Sequence, residues 1–308
     1  MADAILKSLT ASAIFDLTGV VAVVTGGGTG IGMMISSTLV ANGATVYIIG
    51  PNQAELDRVC ANYNAASENV PSRGRMHGIE GDVRHKSEAT RLAAAIAQRE
   101  SHVTVLFNNA GVHTGRIARP PPGSTAADYV AAAFDAVSQQ DFDDSLQTNA
   151  VGPYWLTFAF LPLLEAWKQQ DGYKRGRFVP QIVMTSSMNG WTKDAATGGL
   201  SYPYLFSKSA LGHATASLAN ELLPLGIRVN GIAPGFFATK MTTLAADENG
   251  MSVLPENFPA GFEVPTESGV GSPRDMGSLA LFLVANWFVN GETVLIDGGT
   301  LLKAPSAY

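Results

Sequence analysis

The stretch VAVVTGGGTGIG, at residues 21–32, joins a short apolar run to a glycine-rich turn and then to an apolar segment. Apolar runs of this length are typical of buried strands, and glycines allow a sharp turn into a following helix. Gly26, Gly30 and Gly32 have the spacing GxxxGxG. Such a turn lets the backbone approach a phosphate group, to which the helix N-terminus offers free N–H groups. The stretch predicts a strand, a phosphate-binding turn and a helix, with a tight turn that binds nothing as the alternative.

Strand-like apolar runs alternate with helical patterns along the rest of the chain. The predicted strands are residues 20–25, 45–49, 75–80, 103–107, 181–185, 227–232 and 293–296. The predicted helices are residues 31–42, 54–62, 87–99, 142–170, 204–223 and 274–284. This alternation predicts an α/β fold, a doubly wound parallel sheet of seven strands with helices on both faces. We expect one such domain at residues 15–308, after an N-terminal extension at residues 1–14.

Two segments, residues 113–138 and 240–273, contain several prolines and glycines and show no clear strand. Irregular segments of this length in a compact domain are usually functional loops or disordered regions, and we expect them to be substrate loops. Pro153 and Pro162 should break or bend the helical segment that contains them.

The composition is that of a globular chain with a mild negative charge: 46% of its 308 residues are hydrophobic and the net charge is −6. It lacks the positive field that binding to nucleic acid or to an anionic membrane surface would require. A single cysteine, Cys60, permits no internal disulfide and suits a reducing compartment, so we expect a cytoplasmic protein. The sequence shows neither a secretory signal nor an apolar run long enough to cross a membrane. The five histidines form no metal-binding pattern, and we interpret them as structural or solvated.

Seven further segments follow the glycine-rich turn in order: GDV (81–83), NNAG (108–111), NAVG (149–152), IVMTSS (182–187), YLFSK (204–208), RVNGIAPGFFAT (228–239) and DGG (297–299). Together with the turn they resemble the short-chain dehydrogenase/reductase family over residues 17–299, and the first segment looks like a fungal branch of it. The resemblance implies a Rossmann-type fold and an NAD(P)-dependent enzyme. It also implies hydride transfer that interconverts a ketone or aldehyde and an alcohol.

Tyr204 and Lys208 lie four residues apart on a predicted helix, so their side chains share one face. An ordinary tyrosine, with a pKa of about 10, exchanges protons poorly at neutral pH, and a neighbouring ammonium lowers that pKa. The pair therefore makes chemical sense as an acid/base unit. Tyr202 is a rival, but it lies on a different face of the helix from the lysine.

The resemblance implies a complete catalytic tetrad, formed by Asn149, Ser187, Tyr204 and Lys208. In the family, the serine binds the substrate oxygen and the asparagine holds a water that links the lysine to solvent. Ser186 could replace Ser187 only through a shift of register. The separation of Ser187 and Tyr204 (204 − 187 = 17) is a few residues longer than is usual in the family. We therefore expect an enlarged loop, within residues 191–201, over the active site.

The resemblance also implies a set of cofactor contacts. They are Thr25, Gly26, Gly28, Gly30, Ile31, Gly32, Gly50, Asn52, Asp82, Val83, Asn109, Ala110, Gly111, Tyr204, Lys208, Pro234, Gly235, Phe237 and Thr239. In the family, the aspartate at the position of Asp82 bonds the adenine amine, although an ordinary turn aspartate is the alternative.

The end of the second strand should select between NADP and NAD. A carboxylate there bonds the ribose 2′-hydroxyl and repels a 2′-phosphate. The chain has Gly50, Pro51 and Asn52 at this place, so the repelling carboxylate is absent. Relatives that use NADP often have a basic residue at the positions of Pro51 or Thr29, and it is absent too. We expect NADP as the cofactor, with NAD as the less favoured alternative.

The substrate is expected to be a small, neutral, partly apolar carbonyl compound or alcohol. Apolar residues of the second irregular segment could close over it, or could simply pack the loop onto the domain. They are Met241, Leu244, Met251, Val253, Leu254, Phe258 and Phe262, with Met188 and Trp191 as further candidates. The alternatives are a family member that catalyses a non-redox cyclisation or dehydration, and a regulatory protein that senses NADP without turnover. The resemblance further implies a homodimer or homotetramer, assembled through the helices that carry Asn149 and Tyr204 and through the last strand.

Overall fold

The computed structural model describes residues 2–169, 178–239, 241, 263–266 and 269–308, and its strands form one sheet. The strands are β1 (Val21–Thr25), β2 (Thr45–Gly50), β3 (Arg75–Glu80), β4 (Val105–Asn108), β5 (Gln181–Thr185), β6 (Arg228–Pro234) and β7 (Thr293–Ile296). Their order is β3–β2–β1–β4–β5–β6–β7, and every neighbouring pair is parallel. The predicted doubly wound α/β sheet of seven strands is confirmed. The strand order reverses between β1 and β4, and open α/β sheets bind ligands at the carboxyl ends of the strands beside such a point.

Helices connect the strands and flank them. They are α1 (Ala2–Ser8), α2 (Ala11–Ile14), α3 (Gly30–Ala41), α4 (Gln53–Ser67), α5 (Lys86–Ala97), α6 (Ala126–Tyr129), α7 (Gln139–Leu146), α8 (Gly152–Ala166), α9 (Tyr202–Glu221), α10 (Pro273–Ala285) and α11 (Thr300–Lys303). Two π-helical segments occur, at Val130–Asp135 and Gln147–Val151. No described helix is long and apolar enough to span a bilayer.

Both faces of the sheet are covered, which explains why its central strands are continuous apolar runs. In β1 all five residues are buried, and alternate side chains enter opposite layers. Ala22 and Val24 join a core cluster that includes residues of α3 and α10. Val21 and Val23 join a second cluster that includes residues of α5, α8 and α9. The two layers fix the position of the strand ends, and therefore of the loops that follow them.

The structure differs from the sequence predictions in the region of residues 113–170. The first irregular segment is partly helical, since it contains α6 and a π-helical segment. A second π-helical segment ends directly before α8, whose second residue is Pro153. Pro162 lies inside α8 without ending it, because burial of neighbouring apolar residues of α8 against the sheet compensates for one lost backbone donor. Most of the second irregular segment, residues 240, 242–262 and 267–268, lies outside the described residues.

Candidate active site

The glycine-rich turn between β1 and α3 leaves the helix N-terminus open. Gly26 and Gly30 have positive φ angles of 62° and 52°, a conformation that favours glycine. A Cβ atom on Gly32 would lie 2.1 Å from the carbonyl oxygen of Gly26. Thr29, the residue before α3, makes no side-chain cap, so the first N–H groups of the helix have no capping side chain. Ile31, the second residue of α3, lies half-buried against the core. The turn fits a pyrophosphate group held by backbone N–H donors.

The loop after β4 is fastened to the start of this turn by side chains. The hydroxyl of Thr25 accepts hydrogen bonds from the backbone N–H groups of Asn109 (2.9 Å) and Ala110 (3.0 Å). The side-chain amide of Asn109 donates to the carbonyl of Thr25 at 2.9 Å. A Cβ atom on Gly26 would lie 3.0 Å from the Cα atom of Ala110. Thr25 and Asn109 thus shape the turn with their side chains, and a direct contact of either with a cofactor stays a prediction.

The segment after β6 lies across the same turn. A Cβ atom on Gly30 would lie 3.1 Å from the side chain of Thr239. Gly235 packs against Asp297, since a Cβ atom there would lie 2.5 Å from the Asp297 Cα atom. The side chain of Phe237 is 2% exposed and belongs to the core cluster on one face of the sheet. The structure brings Thr239 to the glycine turn, whereas the Pro234 carbonyl lies beside Ser187 and the Phe237 side chain serves packing.

A cavity of about 560 Å³ lies beside the ends of β2 and β3. Its lining residues are Pro51, Gln53, Ile79, Glu80, Gly81, Asp82, Glu88 and Arg91. Gly50 pairs with Glu80 in the sheet. The Asn52 side chain accepts a hydrogen bond from the Glu55 N–H group at 3.1 Å and caps α4. This corner has the position and the volume for the adenosine half of a dinucleotide, and the sequence prediction places Gly50, Asn52 and Asp82 there.

Three charged residues that line this cavity, Asp82, Glu88 and Arg91, form ion pairs. The guanidinium of Arg84 donates to both carboxylate oxygens of Asp82, at 2.6–3.0 Å, and this hydrogen bonding lowers the pKa of Asp82. Arg91 donates to the Glu88 carboxylate at 2.7 Å and to the Glu80 carbonyl at 2.6 Å. Sequence reasoning missed Arg91, because the register of α5 against β3 decides that this residue lines the cavity. Val83 is buried, and its carbonyl lies 2.5 Å from the position of a Cβ atom on Gly152.

The catalytic candidates Ser187, Tyr204 and Lys208 are buried together at the carboxyl end of β5. Their exposed fractions are 5%, 8% and 3%, whereas Tyr202 is 41% exposed. Lys208 Nζ donates to the Thr185 carbonyl at 2.7 Å and lies 5.7 Å from the centroid of the Tyr204 ring. The structure therefore places Tyr204, and not Tyr202, beside the lysine, as the helical spacing predicts.

Burial controls the pKa values of this pair. It raises the pKa of Tyr204 above its ordinary value, and a hydrogen bond with Ser187 opposes that change. Burial lowers the pKa of Lys208 to about 8. The sequence predicts that the lysine lowers the pKa of Tyr204, whereas the net change of that pKa in this arrangement is upward. The ammonium group is hydrogen-bonded to the Thr185 carbonyl, and desolvation is the largest effect on the pKa of the phenol.

The two serines at the end of β5 have different partners. The Ser187 hydroxyl contacts the Pro234 carbonyl at 3.4 Å and accepts a hydrogen bond from the Asn189 N–H group at 3.2 Å. The Ser186 hydroxyl instead donates to the carbonyl of Lys208 at 2.9 Å, inside the protein. Ser186 thereby fastens β5 to α9, and Ser187 is the serine next to Tyr204.

Asn149 is fully buried in the π-helical segment Gln147–Val151. Its Oδ1 atom accepts from the Val112 N–H group at 2.8 Å, and its Nδ2 atom donates to the Val112 carbonyl and to Ser207 Oγ, both at 2.9 Å. A Cβ atom on Gly111 would lie 3.2 Å from Asn149 Oδ1 and 3.4 Å from Lys208 Nζ. Asn149 therefore joins the loop after β4 to α9 beside the lysine. A π-helical turn of this kind is frequent at functional sites.

The enlarged loop predicted within residues 191–201 lies beside Tyr204 and pairs with the loop after β4. The Ile117 N–H group donates to the Leu200 carbonyl at 2.8 Å, and an ion pair joins Arg119 to Asp194. Leu200 has a positive φ of 59°, which is rare for a residue other than glycine. These bonds hold the two loops together as one wall of the site.

The C-terminal segment fastens the same loop from the other side. The Lys193 N–H group donates to the Pro305 carbonyl at 2.7 Å, and the Ala307 N–H group donates to the Trp191 carbonyl at 2.8 Å. The rings of Trp191 and Tyr308 lie 4.9 Å apart. Met188 is buried in this wall, whereas Met241 is 40% exposed. The other predicted substrate-loop residues lie outside the described residues: Leu244, Met251, Val253, Leu254, Phe258 and Phe262.

His113 is a residue near the site that sequence reasoning grouped with the structural or solvated histidines. Its ring centroid lies 4.8 Å from that of Tyr204. The signal in the sequence was its position two residues after NNAG, at the carboxyl end of a central strand. Within the described part of the chain, no group of three or more His, Cys, Asp or Glu side chains could hold a metal ion.

Comparison with known proteins agrees with this fold. The family model for short chain dehydrogenase matches residues 20–250. A short-chain dehydrogenase/reductase of Byssochlamys spectabilis, VdtF, is 33% identical over 98% of this chain and 99% of its own length. PhomF of Diaporthe leptostromiformis, another short-chain dehydrogenase/reductase, is 32% identical over the full length of both chains. The RhlG/NADP active-site complex of Pseudomonas aeruginosa superposes with a TM-score of 0.72 at 27% identity, covering 93% of this chain and 98% of the other.

The fold and the site define a Rossmann-type, NAD(P)-dependent oxidoreductase. The chain belongs to the short-chain dehydrogenase/reductase family, and its similarity to VdtF and PhomF extends over nearly its whole length.

Proposed function

We propose that the protein is an NADP-dependent oxidoreductase that interconverts a ketone or aldehyde and an alcohol on a small, neutral, partly apolar substrate. The observation that carries this proposal is the buried cluster of Ser187, Tyr204 and Lys208, which lies at the same edge of the sheet as the glycine-rich turn. An acid for the forming alkoxide and a donor to the carbonyl oxygen are the groups that carbonyl reduction needs from the protein.

The roles of the side chains follow from their contacts. A bound nicotinamide nucleotide supplies the hydride in reduction and accepts it in oxidation. The Ser187 hydroxyl donates to the carbonyl oxygen, and Tyr204 gives that oxygen its proton. Burial keeps the Tyr204 phenol protonated until then, which suits an acid. Lys208 stabilises the phenolate that results, and Asn149 holds the loop after β4 against α9 so that the lysine stays in place.

The preference for NADP rests on the corner beside β2. Gly50 ends that strand without a carboxylate, and the capped N-terminus of the 15-residue helix α4 begins three residues later. Helix N-termini attract phosphate through their free N–H groups and their dipole. Arg84 and Arg91 are paired with carboxylates. We therefore expect a moderate preference for NADP over NAD, in line with the cofactor named for the RhlG complex.

We further propose a cytoplasmic homo-oligomer, a dimer or a tetramer. Aromatic side chains are exposed on α8 and α9: Tyr154, Phe158, Tyr202 and Phe206. A second exposed apolar group, Phe282, Trp287 and Phe288, lies in and after α10, and β7 forms the edge of the sheet next to β6. Exposed apolar surface and an open sheet edge favour association. The mass of the purified protein in solution tests this proposal, and a monomer at all concentrations would refute it.

The decisive experiment measures the absorbance of NADPH and NADH while the purified enzyme is mixed with a panel of neutral ketones and aldehydes. We expect ketone-dependent loss of NADPH absorbance, slower with NADH, and almost none with the Tyr204→Phe variant. Conversion of a substrate without any change in absorbance would instead support the non-redox alternative. Tight binding of NADPH with no conversion of any compound would support the regulatory alternative.

A further inference from the structure

The enlarged loop joins the serine and the tyrosine of the site, because it begins one turn after Ser187 and ends on the helix that carries Tyr204. At its start the Trp191 N–H group donates to the Met188 carbonyl at 3.0 Å, which closes the short turn that follows Ser187. At its end the Ser201 hydroxyl accepts from the Tyr204 N–H group at 3.1 Å. The position of the loop therefore bears on the direction of both side chains.

The middle of the loop reaches the tyrosine through one intervening ring. The His113 ring lies 4.8 Å from the Tyr204 ring, between centroids, and its Nε2 atom lies 3.3 Å from the Gly198 carbonyl oxygen. Gly199 packs on the same ring, since a Cβ atom there would lie 2.9 Å from Nε2. A shift of the loop would move a ring that packs on the acid of the site.

The C-terminal segment, which follows α11, holds the start of this loop. It forms a short antiparallel pair with the loop: the Ala307 N–H group donates to the Trp191 carbonyl at 2.8 Å, and the Lys193 N–H group donates to the Pro305 carbonyl at 2.7 Å. The rings of Tyr308 and Trp191 lie 4.9 Å apart. The loop after β4 bonds the later part of the enlarged loop, whereas these contacts fix its first residues.

The same segment starts from a fixed point at the carboxyl end of β7. The Asp297 carboxylate accepts hydrogen bonds from the N–H groups of Gly299 (2.9 Å) and Leu301 (2.8 Å), and Leu301 is buried. Gly235, in the segment after β6, packs directly against Asp297. A segment that is anchored on the sheet at one end and on the loop at the other sets the distance between the loop and the strand ends.

We propose that Ala307 and Tyr308 are positioning residues of the substrate site, which hold Trp191 so that the wall formed by the enlarged loop stays in place around the reacting carbonyl group. This inference rests on the proposed oxidoreductase function and adds a determinant of substrate binding to it. The glycine turn is held by other side chains, those of Asn109 and Thr239. The C-terminal segment should therefore affect the binding of the ketone and leave the binding of NADPH unchanged.

The expected size follows from the ordering of the wall. When a binding site is ordered for only a fraction of the time, the apparent dissociation constant of its ligand rises by the inverse of that fraction. Loss of one net hydrogen bond or of one aromatic contact changes such an equilibrium about fivefold. The KM for the ketone should rise about fivefold, and kcat should stay near wild type because the bound complex is the same.

The test uses a ketone that the wild-type enzyme reduces and two matched pairs of variants. Ala307→Pro removes the N–H donor to Trp191, whereas Ala307→Ser retains it. Tyr308→Ala removes the ring, whereas Tyr308→Phe retains it. We expect the KM for the ketone to rise about fivefold in the Pro and Ala variants and to stay near wild type in the Ser and Phe variants. The dissociation constant of NADPH, measured by fluorescence, and the Tm should be the same in all four.

The outcomes separate this inference from the function on which it rests. An unchanged KM in both disruptive variants, or an equal rise in the conservative ones, would overturn it and leave the oxidoreductase function intact. A weaker binding of NADPH that parallels the rise in KM would assign the segment to general stability and overturn it as well. A rise in only one disruptive variant would retain the proposal for that residue and reject it for the other. Absence of NADPH oxidation by the wild-type enzyme with every ketone of the panel would overturn both.

Discussion

Gly50→Asp should shift the cofactor preference from NADP toward NAD, because it places a carboxylate at the end of β2. The site accepts the side chain: the nearest neighbour of a Cβ atom built there is Leu56 Cδ2, at 3.4 Å, which is an ordinary contact distance. A carboxylate about 5 Å from a phosphate of charge about −2, in surroundings close to water, is repelled by about 1.7 kcal/mol. A charge-assisted hydrogen bond to the 2′-hydroxyl of NAD contributes about 1.5 kcal/mol more. The ratio of kcat/KM for NADPH to that for NADH should fall by about 10²-fold.

The matched control is Gly50→Asn, which has the same shape but no charge. It can bond the 2′-hydroxyl without repelling the phosphate, so its ratio should fall by about tenfold or less. The difference between the two variants should shrink at high salt, since this corner is partly exposed and salt screens the repulsion. Steady-state kinetics with both cofactors measure the ratio. Identical ratios for the two variants, or an unchanged ratio in the Asp variant, would refute the placement of the 2′-phosphate beside Gly50.

Four further predictions concern single side chains. Tyr204→Phe should retain cofactor binding but lose about 10²–10⁴-fold in kcat, whereas Tyr202→Phe should stay near wild type; the reverse pattern would show that the wrong tyrosine is assigned. Pro51→Arg should lower the KM for NADPH about tenfold and leave the KM for NADH unchanged, because a guanidinium binds phosphate through two parallel hydrogen bonds. A similar change in both KM values would contradict this. Burial lowers the pKa of Lys208 to about 8. Between about pH 8 and pH 10.4 the unfolded chain therefore binds more protons than the folded protein, so the free energy of unfolding should rise with pH in that range. In denaturant titrations the Lys208→Met variant should not show that rise. If the free energies of unfolding of the variant and the wild type changed with pH in parallel, this prediction would be wrong. Arg228 is buried and donates to carbonyl groups after α10 at 2.8 and 3.1 Å. Arg228→Met should therefore lower the free energy of unfolding by about 1–3 kcal/mol, and an unaltered denaturation midpoint would disprove this.

Hydrophobic periodicity and turn chemistry are sufficient to predict this sheet. The bounds predicted for the strands at residues 75–80, 181–185 and 293–296 are those of β3, β5 and β7. A strand buried on both faces needs apolar side chains at every position, and that requirement is visible in a few consecutive residues. The pairing of Tyr204 with Lys208 is equally local, because one helical turn brings residues four apart onto one face.

The partners of the site residues are decided by tertiary structure. Lys208 bonds the carbonyl of Thr185, Asn149 bonds Val112, and His113 faces Gly198, over sequence separations of 23, 37 and 85 residues. These contacts depend on which strand ends lie side by side and on how the enlarged loop folds back, and no local pattern encodes either. The same holds for the pKa values, since burial comes from the whole packed layer. The sequence by itself determined the sheet, the glycine turn and the acid/base pair, whereas only the packing of distant segments decided that Ser186 is structural and that Asn149 joins the loop after β4 to α9.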